Sequence, residues 1–151
     1  MPTEKQIREA IKTSVIASAP AAVVISRDAV DWTNKKWLNW LNSPSDGGKL
    51  HGYLITWDGG ESEPPYLQDY EAIISILGAY AWRFGNDSSN SSDEFSAEVE
   101  ALITRLITPA TRPTELSGLK SWGARVYVSD EPGYNIHVAK IQLITSATMG
   151  C

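Results

Sequence analysis

The stretch from residue 68 to 84 constrains the fold of this chain most, because it is long, apolar and free of proline. Its residues fall into two alternating sets, and the even-numbered set runs from Tyr70 to Trp82. Periodicity alone leaves open whether such a run is a helix or a strand. Its aromatic and β-branched side chains, with Gly78 in the middle, favour a long strand in which Gly78 marks a bulge or bend.

Two other segments predict amphipathic helices. The first begins at a capping box formed by Thr3 and Gln6, and the second begins at a capping box formed by Ser91 and Glu94. In both segments apolar residues then recur at helical spacing, and Pro109 ends the second. Each of these helices is therefore expected to bury one face against the rest of the protein.

A short tryptophan-rich helix and four further strands complete the expected elements. Residues 31–41 predict a helix of two or three turns, in which Trp37 and Trp40 share one face. The strands are expected at residues 21–25, 50–57, 122–128 and 136–144. Turn residues at 43–48 and 58–60 separate these elements, and residues 61–65 predict a loop.

This order of elements predicts one α+β domain over residues 1–151. We expect a mostly antiparallel sheet of about five strands, with two longer helices and one short helix packed on it. A chain of this length can bury a sizeable core without disulfides or metals.

Composition and charge argue against several classes of protein. The formal net charge is -5, and Lys35 and Lys36 form the only adjacent basic pair, so a nucleic-acid-binding stripe is not expected. The single cysteine, Cys151, allows no disulfide within the chain. No apolar run approaches the roughly 20 residues of a membrane span, and the charged first turns are unlike a signal peptide. We therefore expect the protein to fold in the cytoplasm where it is made.

Known catalytic and metal-binding patterns are missing from the sequence. His51 and His137 stand alone, without the spacing of metal ligands. There is no nucleophile elbow and no glycine-rich phosphate fingerprint. The nearest paired carboxylates, at residues 61 and 63 and at 130 and 131, fall in predicted turns and loops, where solvated side chains are expected. The prediction is a protein that is not an enzyme and holds no cofactor or metal.

The tryptophans are the most unusual feature of the composition. The six are Trp32, Trp37, Trp40, Trp57, Trp82 and Trp122. Trp32, Trp37 and Trp40 all lie in the short helix predicted at residues 31–41, whose buried face is too small for three such side chains. Tryptophan is enriched at protein interfaces and also stacks on sugars and bases, so at least one is expected to contact a partner.

Several short sequence segments, in this order along the chain, resemble those of a known family. They are Met1–Glu4 with Ile7–Ile11, Trp37–Leu41, Gly52–Thr56, Tyr80–Gly85, the helix from Phe95 to Ile107, and His137–Leu143. In layout the chain resembles the tail-terminator proteins of long-tailed bacteriophages, also called tail-completion or head–tail joining proteins. Proteins of this kind typically have a long strand, a serine-capped helix and a last strand that opens with His-x-Ala.

The resemblance implies a structural virion protein that is assembled in the host cytoplasm. Such proteins form a ring, usually of six copies, that caps the tail tube, ends its polymerisation and joins the tail to the neck or head. The implied partners are other copies of the chain, the tube protein, neck or connector proteins and, in a contractile tail, the sheath. Genomic DNA would pass through the acidic channel without specific binding.

The expected contact residues follow from the tryptophan segment and from two polar loops. They are Trp32, Lys35, Lys36, Trp37, Trp40, Asp58, Glu61, Glu63, Asp87 and Asn90. Two other functions stay open: a head–tail connector, stopper or other neck subunit, and a tryptophan-rich carbohydrate-binding module. A connector would differ in its stoichiometry, since many form twelve-fold rings, whereas a carbohydrate-binding module would bind glycans.

Overall fold

The elements of the chain form one sheet with helices on both of its faces. A computed structural model describes residues 1–30, 32, 36–44, 49–61, 69–81, 91–128 and 136–149. The helices are α1 (Glu4–Ser18), α2 (Lys36–Asn39) and α3 (Ser91–Ile107), and Thr114–Leu116 form a short 3-10 helix. The strands are β1 (Val23–Arg27), β2 (Asn42–Ser43), β3 (Lys49–Glu61), β4 (Asp69–Ala81), β5 (Leu119–Val128) and β6 (Ile136–Thr148).

The sheet has the strand order β1-β3-β4-β6-β5, and β2 pairs with the start of β3. The α+β class is confirmed, but the sheet is mixed and six-stranded rather than mostly antiparallel with about five strands. The strand β1 runs parallel to β3. Parallel neighbours need a crossover connection, and here the connection contains α2 and β2. The two-residue β2 ends at Ser43, which is the first residue of the segment predicted to be a turn.

The long run predicted as a strand is β4, and the alternation of its residues is confirmed. Its even-numbered side chains face the core on the helix side, whereas Ser75, Leu77 and Ala79 face the other side of the sheet. The predicted bulge at Gly78 is wrong, because the pairing of β4 with both neighbours continues through Gly78 without a shift. A Cβ atom at Gly78 would lie 2.7 Å from Tyr53 Cε1, so the glycine makes room for an aromatic ring.

The irregularity of the sheet lies instead in β3. The prediction that residues 58–60 end this strand is wrong, since pairing resumes at Gly60 and the strand reaches Glu61. The register shifts between Trp57 and Gly60, where Gly59 has a φ of +90°. Glycine adopts this left-handed conformation without a steric penalty, which lets the strand bulge and then pair again.

The main core lies between the sheet and the two long helices. The capping box of Thr3 and Gln6 is confirmed, with Oγ1 of Thr3 accepting from the Gln6 amide at 3.2 Å. The fully buried side chains from the two helices include Ile7, Ile11, Val15, Phe95, Leu102 and Leu106. They pack on the helix-side residues of β3, β4 and β6, so α1 and α3 cover the central strands.

A smaller cluster lies on the opposite face of the sheet. Here Trp37, Leu38 and Leu41 pack on Leu54 and Ala79. In the described residues α2 forms a single turn and covers one end of this face. Of the helix of two or three turns predicted over residues 31–41, residues 31 and 33–35 lie outside the described ranges. Beyond this cluster the face carries polar side chains such as Thr56, Ser75 and Lys140 together with apolar ones such as Leu77. In the described ranges, no helix is long and apolar enough to cross a membrane.

Candidate functional site

A cleft of about 290 Å³ opens on the sheet face that α2 leaves partly uncovered. We call it the tryptophan cleft, and its lining residues are Trp32, Trp37, Thr56, Asp58, Ser75, Leu77, Tyr127 and Lys140. Trp37 belongs to α2, Trp32 precedes that helix, and the other lining residues belong to β3, β4, β5 and β6. The cleft therefore exists only because the long strands lie side by side in register.

Two tryptophans form the aromatic wall of the cleft. The rings of Trp32 and Trp37 meet edge to face, with their centroids 5.3 Å apart. Trp37 is anchored in the smaller cluster and is 9% exposed, whereas Trp32 is 49% exposed. A buried tryptophan thus supports an exposed one, which presents its ring to solvent at the cleft.

The carboxylate of Asp58 is held in place on the polar wall. Thr56 donates to Oδ1 of Asp58 at 3.3 Å, and the Ser75 hydroxyl donates to Oδ2 in a short hydrogen bond. Thr56 and Ser75 are both buried, but Asp58 is exposed. Each carboxylate oxygen retains acceptor capacity for a further donor from outside.

Two cations stand next to each other beside the same cleft. Arg125 on β5 and Lys140 on β6 are directly opposed in the antiparallel pairing, so they share the sheet face with Tyr127. The guanidinium of Arg125 lies 4.5 Å from the centroid of the Tyr127 ring. Like charges in this arrangement cost stability, and in the described part of the chain neither cation forms an ion pair.

The strand β5 forms one end of the sheet and is exposed on both faces. Residues 120–126 are all exposed, and among the described strands β5 pairs only with β6. On the helix side, Trp122 is 47% exposed and Val126 is 42% exposed. We call Trp122, Ala124 and Val126 the edge strip. Their partners on β6 are buried under the helices, whereas the helices do not cover the edge strip itself.

A buried polar cluster connects α3 to the sheet. Glu98 Oε2 lies 2.9 Å from Nε2 of His51 and accepts a hydrogen bond of 2.6 Å from the Tyr53 hydroxyl. Burial, followed by the nearby Glu98 carboxylate, raises the pKa of Tyr53 above its ordinary value. Tyr53 therefore stays a neutral donor, and the cluster fixes α3 against β3.

The structure brings together three of the predicted contact residues, Trp32, Trp37 and Asp58, in one cleft. Trp40 lies apart from them under the guanidinium of Arg27, at 4.5 Å from the ring centroid. Lys36 is the first residue of α2, and Glu61 is the last residue of β3 rather than part of the predicted loop. Four predicted residues lie outside the described ranges: Lys35, Glu63, Asp87 and Asn90.

Sequence reasoning missed Ser75, Tyr127, Lys140 and the edge strip. The alternation of β4 did place Ser75 on the face away from the even-numbered core residues. Nothing local in the sequence indicates that β5 lies at an end of the sheet, because the order of strands depends on long-range pairing. Within the described ranges, no group of three or more His, Cys, Asp and Glu side chains is arranged to hold a metal ion.

Comparison with models of protein families and with curated proteins found no match to this chain.

Proposed function

We propose that this protein is a structural subunit of a phage tail, which forms a closed ring, most simply of six copies, on the end of the tail tube. The ring ends tube polymerisation and joins the tail to the neck and head. The observation that carries the proposal is β5, a ten-residue strand that pairs on one side only among the described strands and has exposed apolar side chains. Such edges are templates for association, and proteins that remain monomeric usually protect them.

Both ends of the sheet support a head-to-tail contact. In the described part of the chain, β5 pairs only with β6, and β1 at the opposite end pairs in the main sheet only with β3. A contact between two different surfaces of the same subunit generates a ring when the rotation closes. The edge strip supplies apolar area on β5, which an interface between permanent neighbours requires.

The charge of the chain fits a channel through which DNA moves. A net charge of -5 gives a ring of such subunits an overall negative potential, which disfavours binding to phosphates. In this proposal the remaining partners are the tube protein below the ring, neck proteins above it and, in a contractile tail, the sheath around it.

Assembly of tail tubes in vitro tests the proposed function. Tube protein from the same genome is polymerised with and without the purified chain, and tube lengths are measured by electron microscopy. We expect shorter tubes, each carrying one extra ring of density at a single end. Tubes of unchanged length without end density would refute the tail role, whereas a twelve-fold ring that binds only completed tails would identify a connector.

Charge placed on the edge strip is expected to separate the subunits. The variant Trp122→Lys/Val126→Lys introduces two cations into an apolar contact, so we expect the apparent dissociation constant of the oligomer to rise at least roughly a hundredfold. Because both side chains are exposed in the subunit, its free energy of unfolding should change by less than about 1 kcal/mol. Analytical ultracentrifugation and urea denaturation measure the two effects.

The matched control is Ile16→Lys on α1, since Ile16 is 48% exposed and lies outside β5. It should leave the oligomer intact. Equal dissociation by Ile16→Lys, or an unaffected oligomer in the β5 variant, would show that the edge strip is not the contact.

A further inference from the structure

The tryptophan cleft combines groups that a simple structural role does not require. An exposed tryptophan ring, a fixed carboxylate and a lysine line one concave space of about 290 Å³. Binding sites for small molecules are typically of this kind, with mostly apolar walls and a few convergent polar groups. A ligand of the cleft has to satisfy all of these groups together.

Charge excludes a cationic guest. Aromatic walls beside a carboxylate can bind an ammonium or guanidinium group. Here, however, Lys140 lines the cleft and Arg125 stands directly opposite it on the neighbouring strand. Among the described residues, a cation entering the cleft would meet the positive charges of Lys140 and Arg125 and one negative charge, that of Asp58.

An apolar guest is also a poor match. It would remove water from Asp58 and Lys140 without offering either group a hydrogen bond, and desolvation of an unpaired charge is costly. Within the described residues, Asp58 and Lys140 line the same space without forming an ion pair, so Asp58 can accept and Lys140 can donate further hydrogen bonds to a ligand. The ligand must therefore carry both donors and acceptors as well as an apolar face.

We propose that the tryptophan cleft binds a saccharide, and preferentially one that carries a carboxylate. The apolar face of a pyranose ring stacks on Trp32, and its hydroxyls donate to the carboxylate that Thr56 and Ser75 hold in place. The sugar carboxylate lies toward Lys140 and Arg125, where it relieves the repulsion between them. This binding does not depend on the proposed ring or on the tail role.

Calorimetric titration of the intact chain with defined glycans tests the proposal. The probes are oligogalacturonates and the matching neutral galacto-oligosaccharides, with a poly-glutamate peptide as a non-sugar polyanion. We expect saturable binding of the oligogalacturonates, weaker binding of the neutral oligomers and none of the peptide. Tighter binding of the peptide, or no binding of any sugar, would overturn the proposal.

Variants locate the binding within the cleft. Trp32→Ala and Asp58→Asn should each weaken sugar binding about tenfold or more, and Lys140→Gln should abolish the preference for the carboxylated sugar. Trp40→Ala is the matched control, because Trp40 is 37% exposed and does not line the cleft. Its affinity should stay within about twofold of the unmodified chain. Equal losses for Trp32→Ala and Trp40→Ala, with both variants folded by circular dichroism, would place the sugar elsewhere and contradict the proposal.

Discussion

Replacing Gly78 with alanine should lower the free energy of unfolding by about 2–3 kcal/mol, because the added methyl group has no space. Its Cβ would lie 2.7 Å from Cε1 of Tyr53 and 3.2 Å from Cζ of Phe95, and both rings are fully buried. The Tyr53 ring cannot tilt away freely, since its hydroxyl is bonded to Glu98. Urea denaturation followed by circular dichroism gives the change.

Gly123 on β5 provides the matched control for this prediction. It is also a strand glycine, but a Cβ atom there would meet nothing within 4 Å. We expect Gly123→Ala to change the free energy of unfolding by no more than about 0.5 kcal/mol. If Gly78→Ala were as harmless as Gly123→Ala, the close approach of the Tyr53 ring to β4 would be wrong.

The second large effect is expected from Glu98→Ala, which removes the acceptor that connects α3 to β3. The Tyr53 hydroxyl is then buried without the carboxylate that it bonds, and His51 loses the same partner. Because a buried donor left without a partner incurs its full desolvation cost, we expect a loss of about 2–4 kcal/mol of stability. The midpoint and slope of urea unfolding measure this loss.

Two further variants separate this cause from a general effect of altering α3. Glu100→Ala removes an exposed carboxylate from the same helix and should be nearly neutral. Tyr53→Phe removes the donor instead, so adding Glu98→Ala to it should cost less than Glu98→Ala alone. Strictly additive losses would mean that Tyr53 and Glu98 do not interact.

Local patterns in the sequence predicted most of the elements, because burial on one face imposes a regular spacing. The even-numbered residues of β4 face the core as their alternation indicated, and the capping box of Thr3 and Gln6 starts α1. The sequence does not predict that β1 pairs with β3 in parallel, because the residue pattern of a five-residue strand does not indicate its direction relative to its neighbour. Gly78 was interpreted as a backbone feature, but its cause is the Tyr53 ring on another strand.

The candidate site was predictable only in part, on the side formed by Trp32, Trp37 and Asp58. The concentration of tryptophans in residues 32–40 predicted Trp32 and Trp37 as contact residues. The polar turn predicted after Trp57 added Asp58 to them. The opposite wall comes from Ser75, Tyr127 and Lys140 on three other strands, which meet only once the sheet is assembled. The exposure of β5 likewise follows from its position at the end of the sheet, and a strand pattern alone does not encode that position.

The central claim is that subunits associate through β5 into a closed ring, and the molar mass of the purified chain tests it most directly. Mass photometry of the chain alone, over a range of concentrations, should give one discrete species. We predict a mass of about six times the 16.5 kDa of the chain, without larger open assemblies. A monomer at every concentration would contradict the claim.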